Sequence, residues 1–246
     1  MCHTIHSMSN IRVFDDKSQL AEAAAKQTIT VLKTAIDEYS QATWVLAGGS
    51  TPLLAYDIIA SLYGDAVEWE KVTVIIGDER IGPLDGPDNN WHAINDIIGT
   101  LPTVKIRPMS DLPAEDAAEN YSEQLATLPM IDNGLPRLDI VWLGVGTDGH
   151  TLSLFPQHDS LSPSGHLVIP VHDSPKPPRD RISLSLRALQ GTQNALVLAA
   201  GADKKTAVTA AQNGGSSPIA LATSIIETHD GKIYWLVDSE ASPERV

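Results

Sequence analysis

Residues 138–156 read LDIVWLGVGTDGHTLSLFP. The opening run is short, rich in apolar residues and bounded by glycine, so it reads as a strand buried within a sheet. Gly144, Gly146 and Gly149 follow at the G-x-G-x-x-G spacing of a dinucleotide-binding turn, and a preceding strand is the first context that motif requires. The continuation argues against that use. A dinucleotide fingerprint needs a helix after its third glycine, whereas HTLSLFPQHDSLSPSG places Pro156 and Pro163 where the helix would run. Asp173 stands where the ribose-binding acid would be sought, about 20 residues on, but the missing helix defeats the motif. What remains is a strand end followed by a glycine-loosened polar loop carrying Asp148 and His150, and no cofactor is expected.

Working outward, short Val/Ile/Leu-rich runs alternate with stretches of helical period, which predicts an α/β fold. The expected class is a single-domain, doubly wound, Rossmann-like structure with a mostly parallel sheet and helices on both faces. Strands are predicted at 11–15, 43–48, 72–78, 105–109, 138–144, 166–171, 181–186, 194–200 and 232–237. Helices are predicted at 17–40, 52–63, 89–99, 114–127, 187–191 and 202–213. The first helix is marked by an apolar stripe of Leu20, Ala24, Ile29, Leu32, Ala35, Ile36 and Tyr39. DSPKPPRD (173–180) reads as an exposed loop and QNGGSSP (212–218) as a flexible connection, after which LATSII fits either a strand or a short helix. Neither segment resembles an interdomain linker, so one domain over 11–246 is expected, preceded by a loose arm at 1–10.

The chain has 246 residues with 17 Lys+Arg against 31 Asp+Glu, a net charge of −14. That balance disfavours nucleic acid and anionic membranes as partners and leaves an anionic small molecule only if basic side chains are concentrated at one site. The single cysteine, Cys2, excludes an internal disulfide framework and fits a cytoplasmic protein. No apolar run approaches the roughly 20 residues that span a bilayer, and MCHTIHSMSN lacks a signal-peptide core. The histidines show no H-E-x-x-H or comparable spacing, so no catalytic metal is predicted. A monomer or small homo-oligomer is expected.

In open α/β sheets ligands bind beyond the carboxyl ends of the strands, and four such ends carry polar chemistry here. Gly48-Gly49-Ser50-Thr51-Pro52 suits an anion cradle at a helix N-terminus, although an ordinary helix cap explains it equally well. Asp78-Glu79-Arg80 places two carboxylates and a guanidinium together, suited to orienting a base or meeting an oxyanion, with Glu79 read as a structural ion pair. Asp148 and His150 offer a general base near neutral pH with a carboxylate to stabilise its charged form. Lys204 and Arg181 supply positive charge for a phosphate, against the default of solvated surface charge. Neither a Walker A loop nor a G-x-S-x-G nucleophile elbow is present.

AGGSTP, GDERIGP followed by Asn89-Asn90, LGVGTDGHTLSLFP, PPRDRISLSL and GADKK, in this order, resemble the 6-phosphogluconolactonases of the glucosamine-6-phosphate isomerase superfamily, over about residues 12–238. The resemblance implies hydrolysis of 6-phospho-D-glucono-1,5-lactone in the oxidative pentose phosphate pathway. It implies His150 as general base, with Asp78, Asp148 and Arg80 as further catalytic groups. Gly48, Gly49, Ser50, Thr51, Asn90, Gly146, Arg181 and Lys204 are expected to bind the substrate and its phosphate. In the related deaminases Asp-Glu-Tyr stands where this chain has Asp78-Glu79-Arg80, which favours the lactonase. Asn89-Asn90-Trp91, Leu152 and Leu221-Ala222-Thr223 depart from the usual lactonase pattern and are expected at the site edge. The alternatives are an amino-sugar phosphate deaminase or isomerase, and a non-catalytic sugar-phosphate-binding domain.

Overall fold

The computed structural model describes residues 10–243. Cys2 and most of the expected N-terminal arm lie outside the described residues, while Asn10 already belongs to the first strand. In chain order the elements are β1 (Asn10–Phe14), α1 (Lys17–Tyr39), β2 (Ala42–Leu46), α2 (Ser50–Leu62), β3 (Val72–Ile76), β4 (Asp78–Arg80), α3 (Asn90–Ile98), β5 (Val104–Lys105), α4 (Ala114–Leu125), β6 (Ile140–Gly144), β7 (Val168–Val171), β8 (Arg181–Leu184), β9 (Asn194–Ala199), α5 (Lys205–Gln212), α6 (Pro218–Thr228) and β10 (Lys232–Asp238).

Seven strands form a sheet in the order β1-β10-β9-β6-β2-β3-β5, and every pairing in it is parallel. Connections from β1, β2 and β3 step toward the β5 edge, whereas those from β5, β6 and β9 step back. Right-handed crossovers therefore place α1–α3 on one face and α4–α6 on the other. The direction reverses between β2 and β6, and a ligand crevice is expected beyond the carboxyl ends of these two strands.

Strands 43–48 and 72–78 end earlier than the apolar runs suggest, at Leu46 and Ile76. A buried tyrosine hydroxyl meets the backbone at each end. Tyr56 Oη accepts from Ala47 N at 2.9 Å and donates to Ala47 O at 3.0 Å; Tyr121 does the same at Ile76, at 2.8 and 3.0 Å. The backbone groups are thus satisfied without a neighbouring strand, and the chain is free to leave the sheet. The run at 105–109 pairs only at Val104–Lys105, since Pro108 cannot donate to a ladder.

Helix α1 starts with Asp16 Oδ1 accepting from Gln19 N at 2.9 Å and stops where Ser40 takes a left-handed conformation, φ 63°. Its stripe is buried as expected except at Tyr39, which is 45% exposed and lies under the Arg137 guanidinium at 3.8 Å. Beneath this face Tyr56 stacks on Trp142 at 4.8 Å, Trp44 packs at 5.2 Å from Trp142, and the Trp142 indole donates to Thr28 Oγ1 at 3.0 Å. Deleting such a buried aromatic costs about 3–5 kcal/mol.

The remaining strands form a separate antiparallel sheet, β4-β8-β7, with α4 packed against β7 and β8. Asp78-Glu79-Arg80 is therefore a strand in its own right, not the loop after β3. The LATSII segment is helical, inside α6, where Pro218 occupies the first turn. The segment at 187–191 is a short 3-10 turn at Ala188–Gly191, and 202–213 divides into such a turn followed by α5.

Candidate active site

A cleft of about 290 Å³ opens at the reversal point, between the ends of β2, β6 and β9 on one side and the antiparallel sheet on the other. Gly48, Gly49, Ser50, Thr51, Asp78, Arg80, Asn90, Gly146, His150, Arg181 and Lys204 all line it. Asp148 is outside that lining and acts on it through His150.

The loop after β6 is folded so that His150 lies back over Gly146. A Cβ at Gly146 would overlap the imidazole and press on Asp148 Oδ1. The turn itself is made at Gly149, φ 81°, rather than at Gly144, which simply ends β6. The Gly149 carbonyl accepts from Ile219 N at 3.1 Å, so the loop is anchored on the first turn of α6. Asp148 Oδ1 accepts from His150 N at 3.2 Å and lies 2.5 Å from His150 Nδ1. Burial pulls the His150 pKa below 6.5, against the hydrogen bond and charge of Asp148, which raise it. Burial pushes Asp148 up, but the hydrogen bond and charge of His150 outweigh it and hold the carboxyl below its ordinary range. At neutral pH the pair is a carboxylate and a neutral imidazole that donates from Nδ1, which leaves the Nε2 lone pair to act as a base.

In the cradle after β2, α2 begins at Ser50 with no side-chain cap, so its first backbone N–H groups are open to an anion. Lys17, at the start of α1, donates to Ser50 Oγ at 2.7 Å, a contact across 33 residues that local reading of the sequence does not reveal. A Cβ at Gly48 would run into the Asn90 amide, so this glycine permits a close approach. After β9, Asp238 accepts from Gly201 N at 2.9 Å and fixes the turn that presents Lys204, whose Nζ lies 3.0 Å from Asp203.

On the opposite side, Asp78 Oδ2 accepts from the Ser153 hydroxyl at 2.7 Å. Arg80 Nη1 donates to the Asp88 carbonyl at 2.6 Å. Glu79 is fully buried and, contrary to expectation, forms no ion pair among the described residues: its carboxylate accepts from the backbone N–H groups of Arg80 (2.9 Å), Asn90 (2.7 Å) and Trp91 (2.8 Å). It thereby fastens β4 to the N-terminus of α3, where a negative charge is favourable. Burial still pushes its pKa up, to about 7. Asn90 Nδ2 donates to the Asp78 carbonyl at 3.0 Å, so much of its capacity holds the wall together.

Arg181 is 4% exposed and is largely engaged by the protein. Its Nε donates to Pro178 O at 3.1 Å, Nη2 to Lys176 O at 2.9 Å, and Nη1 approaches Ser153 Oγ at 3.4 Å. The 173–180 loop, expected to be exposed, is thus bound to the cleft by its carbonyls and brings Lys176 into the lining. Lys176, Ser153 and Lys17 were not among the expected site residues. Only the basic charge of Lys176 inside a proline-rich loop just before Arg181 hinted at it.

Of the departures from the lactonase pattern, Leu152 lines the cleft. Asn89 instead caps α3 through His92 N at 2.8 Å, and residues 221–223 lie within α6, outside the cleft lining.

The family model described as glucosamine-6-phosphate isomerases/6-phosphogluconolactonase matches residues 15–235. A 6-phosphogluconolactonase of Streptomyces coelicolor is 36% identical, over 94% of this chain and 93% of that protein. One from Mycobacterium tuberculosis is 33% identical, over 95% of this chain and 97% of that protein. The solved 6-phosphogluconolactonase of Trypanosoma brucei superposes with a TM-score of 0.83 at 25% identity, covering 95% of this chain and 97% of that one. A monomeric glucosamine-6-phosphate deaminase shares the fold, with a TM-score of 0.76 at 21% identity over 94% of this chain and 98% of that one. With its parallel sheet, its cleft at the reversal point and relatives matched over more than nine-tenths of their length, the chain belongs to the glucosamine-6-phosphate isomerase and 6-phosphogluconolactonase family.

Proposed function

We propose that the protein hydrolyses 6-phospho-D-glucono-1,5-lactone to 6-phospho-D-gluconate, the lactone step of the oxidative pentose phosphate pathway. The observation that carries this reading is the Asp148–His150 pair at the mouth of β6, a neutral imidazole backed by a carboxylate in a cleft whose other end is an open helix N-terminus with a lysine beside it. Relatives named 6-phosphogluconolactonase match nearly the whole chain and support the same substrate.

In this reading the substrate phosphate lies against the Gly48–Thr51 amides and Lys204, with Arg181 adding charge from across the cleft. His150 Nε2 takes a proton from water as its oxygen attacks C1, and the carbonyl oxygen becomes an oxyanion. When the tetrahedral intermediate collapses, the C1–O5 bond breaks and His150 returns the proton to O5. Asp148 keeps the imidazole in the required tautomer and stabilises its charged form. Asp78 orients water or a sugar hydroxyl, and Arg80 faces the oxyanion. These steps need no group beyond the side chains and water.

The deciding experiment is the rate of acid release from freshly generated 6-phosphogluconolactone, with and without the protein. A rate no faster than spontaneous hydrolysis overturns the proposal. The family model also covers glucosamine-6-phosphate isomerases, so ammonia release from glucosamine 6-phosphate is measured alongside, with none expected.

A further inference from the structure

Among the cations that line the cleft, three already have protein partners. Arg80 is tied to the Asp88 carbonyl, Arg181 to the 176–178 carbonyls and Ser153, and Lys204 to Asp203. The Lys176 ammonium has no hydrogen bond or ion pair among the described residues, although the backbone that carries it is firmly held. Its carbonyl accepts from Arg181 Nη2 at 2.9 Å and from the buried Ser174 hydroxyl, also at 2.9 Å. The loop base is held too: His172 lies 2.8 Å from Asp180 and 3.1 Å from Glu115 of α4. A free cation on a fixed support, inside a cleft of a protein with net charge −14, is in the position of a group that meets an anion.

We propose that Lys176 contacts the substrate at the lactone end of the cleft, its ammonium facing the C1 oxygen as that oxygen becomes negative, with Arg181 as the positioning residue that fastens the backbone carrying it. This rests on the lactonase reading above. Its place on the His150 side of the cleft follows from packing: Arg181, which holds the Lys176 carbonyl, lies 5.6 Å over the Phe155 ring, and the His150 ring packs on the same phenyl at 4.9 Å. Asp148 on the same loop and Asp78 on β4 favour the protonated ring, and Lys176 disfavours it. Arg181, engaged through Nε and both Nη groups, then acts chiefly through the loop and less as a phosphate ligand.

Lys176→Ala tests this cleanly, because the side chain is exposed and the loop contacts run through backbone atoms that the variant keeps. Expected is a loss of kcat of at least about tenfold, below the hundredfold or more of a fixed oxyanion donor, with KM changed by less than about threefold. Lys176→Arg should recover most of the rate. The acid limb of kcat/KM should move to higher pH in Lys176→Ala, because the positive charge that holds His150 down is gone. A kcat within about twofold of the unaltered enzyme overturns the proposal, and so does a rise in KM alone, which would place Lys176 at the phosphate.

A second measurement stands apart from turnover. Calorimetric binding of 6-phosphogluconate, which carries a carboxylate at C1, is compared with that of glucitol 6-phosphate, which does not. Selective weakening of 6-phosphogluconate in Lys176→Ala supports the placement, whereas equal weakening of both, or of neither, overturns it. If the unaltered protein binds 6-phosphogluconate but hydrolyses no lactone, the proposed activity fails while this comparison still decides the position of Lys176.

Discussion

The two walls of the cleft hold their chemistry by different means. The wall formed by the ends of β2, β6 and β9 presents backbone amides, one imidazole and one lysine on short loops, each placed by a glycine turn or a capping carboxylate. The wall formed by β4 and β8 presents Asp78, Arg80 and Arg181 on paired strands, linked by Ser153 and backed by buried Glu79. Loops at parallel strand ends present the imidazole and the backbone amides to the cleft. A small antiparallel sheet holds charged side chains in fixed geometry while satisfying most of their hydrogen bonds within the protein.

Damage to the first wall should remove the reacting group or the grip on the phosphate, whereas damage to the buried carboxylate behind the second should show in the pH dependence of stability. The largest effect is expected for His150→Ala, a loss in kcat of about 10² to 10⁴-fold read from acid release against the spontaneous rate. In the unaltered enzyme kcat/KM should fall on the acid side with a midpoint below 6.5, since burial holds the His150 pKa under that value. Gly146→Ala should come next. Its Cβ meets the imidazole, so kcat should drop more than about tenfold, while circular dichroism shows a folded protein destabilised by about 1–3 kcal/mol. Lys204→Ala should raise KM about tenfold or more with kcat little changed, because a charged hydrogen bond is worth about 1.5–3 kcal/mol and the phosphate is remote from the bond broken. A fall in kcat with KM unchanged would move Lys204 out of the phosphate end.

The smallest effect concerns Glu79. Its pKa is raised from 4.5 to about 7 in the folded protein, so the folded state holds its proton more tightly than the unfolded chain. The corresponding stability is fully present below pH 4.5 and is lost as pH rises through about 7, by a few kcal/mol at most. Glu79→Gln should flatten that part of the stability-against-pH curve, followed by denaturant unfolding at pH 5 and pH 8. An unchanged slope would show that the three N–H bonds keep Glu79 ionised throughout.

The two walls also differed in how far they could be read in advance. His150, Asp148, the Gly48–Thr51 cradle and Lys204 each follow a strand with a long apolar run, so period, glycine placement and the strand-end rule located them. The second wall was harder. Asp78-Glu79-Arg80 continues the β3 run without a break in pattern, and alternation says which way a side chain points but not which sheet it joins. In sequence Glu79 reads as a structural ion pair, because alternation points it away from Asp78 and Arg80 at what looks like a strand-to-loop junction. Two of its three N–H partners belong to a helix that starts 11 residues later, and the third is the adjacent Arg80. Lys176 was hidden because a proline-rich charged loop looks the same in sequence whether it faces solvent or is bound by an arginine.

Local periodicity and motif spacing by themselves determined the α/β class, most elements and the polar strand-end residues that line the cleft, because these depend on contacts within a strand, a turn or a helix end. Only the tertiary structure decided where strands stop, that β4, β7 and β8 form their own sheet, and which cations are free. Those outcomes rest on hydrogen bonds between residues far apart in the chain: Tyr121 with Ile76, Ser153 with Asp78 and Lys17 with Ser50.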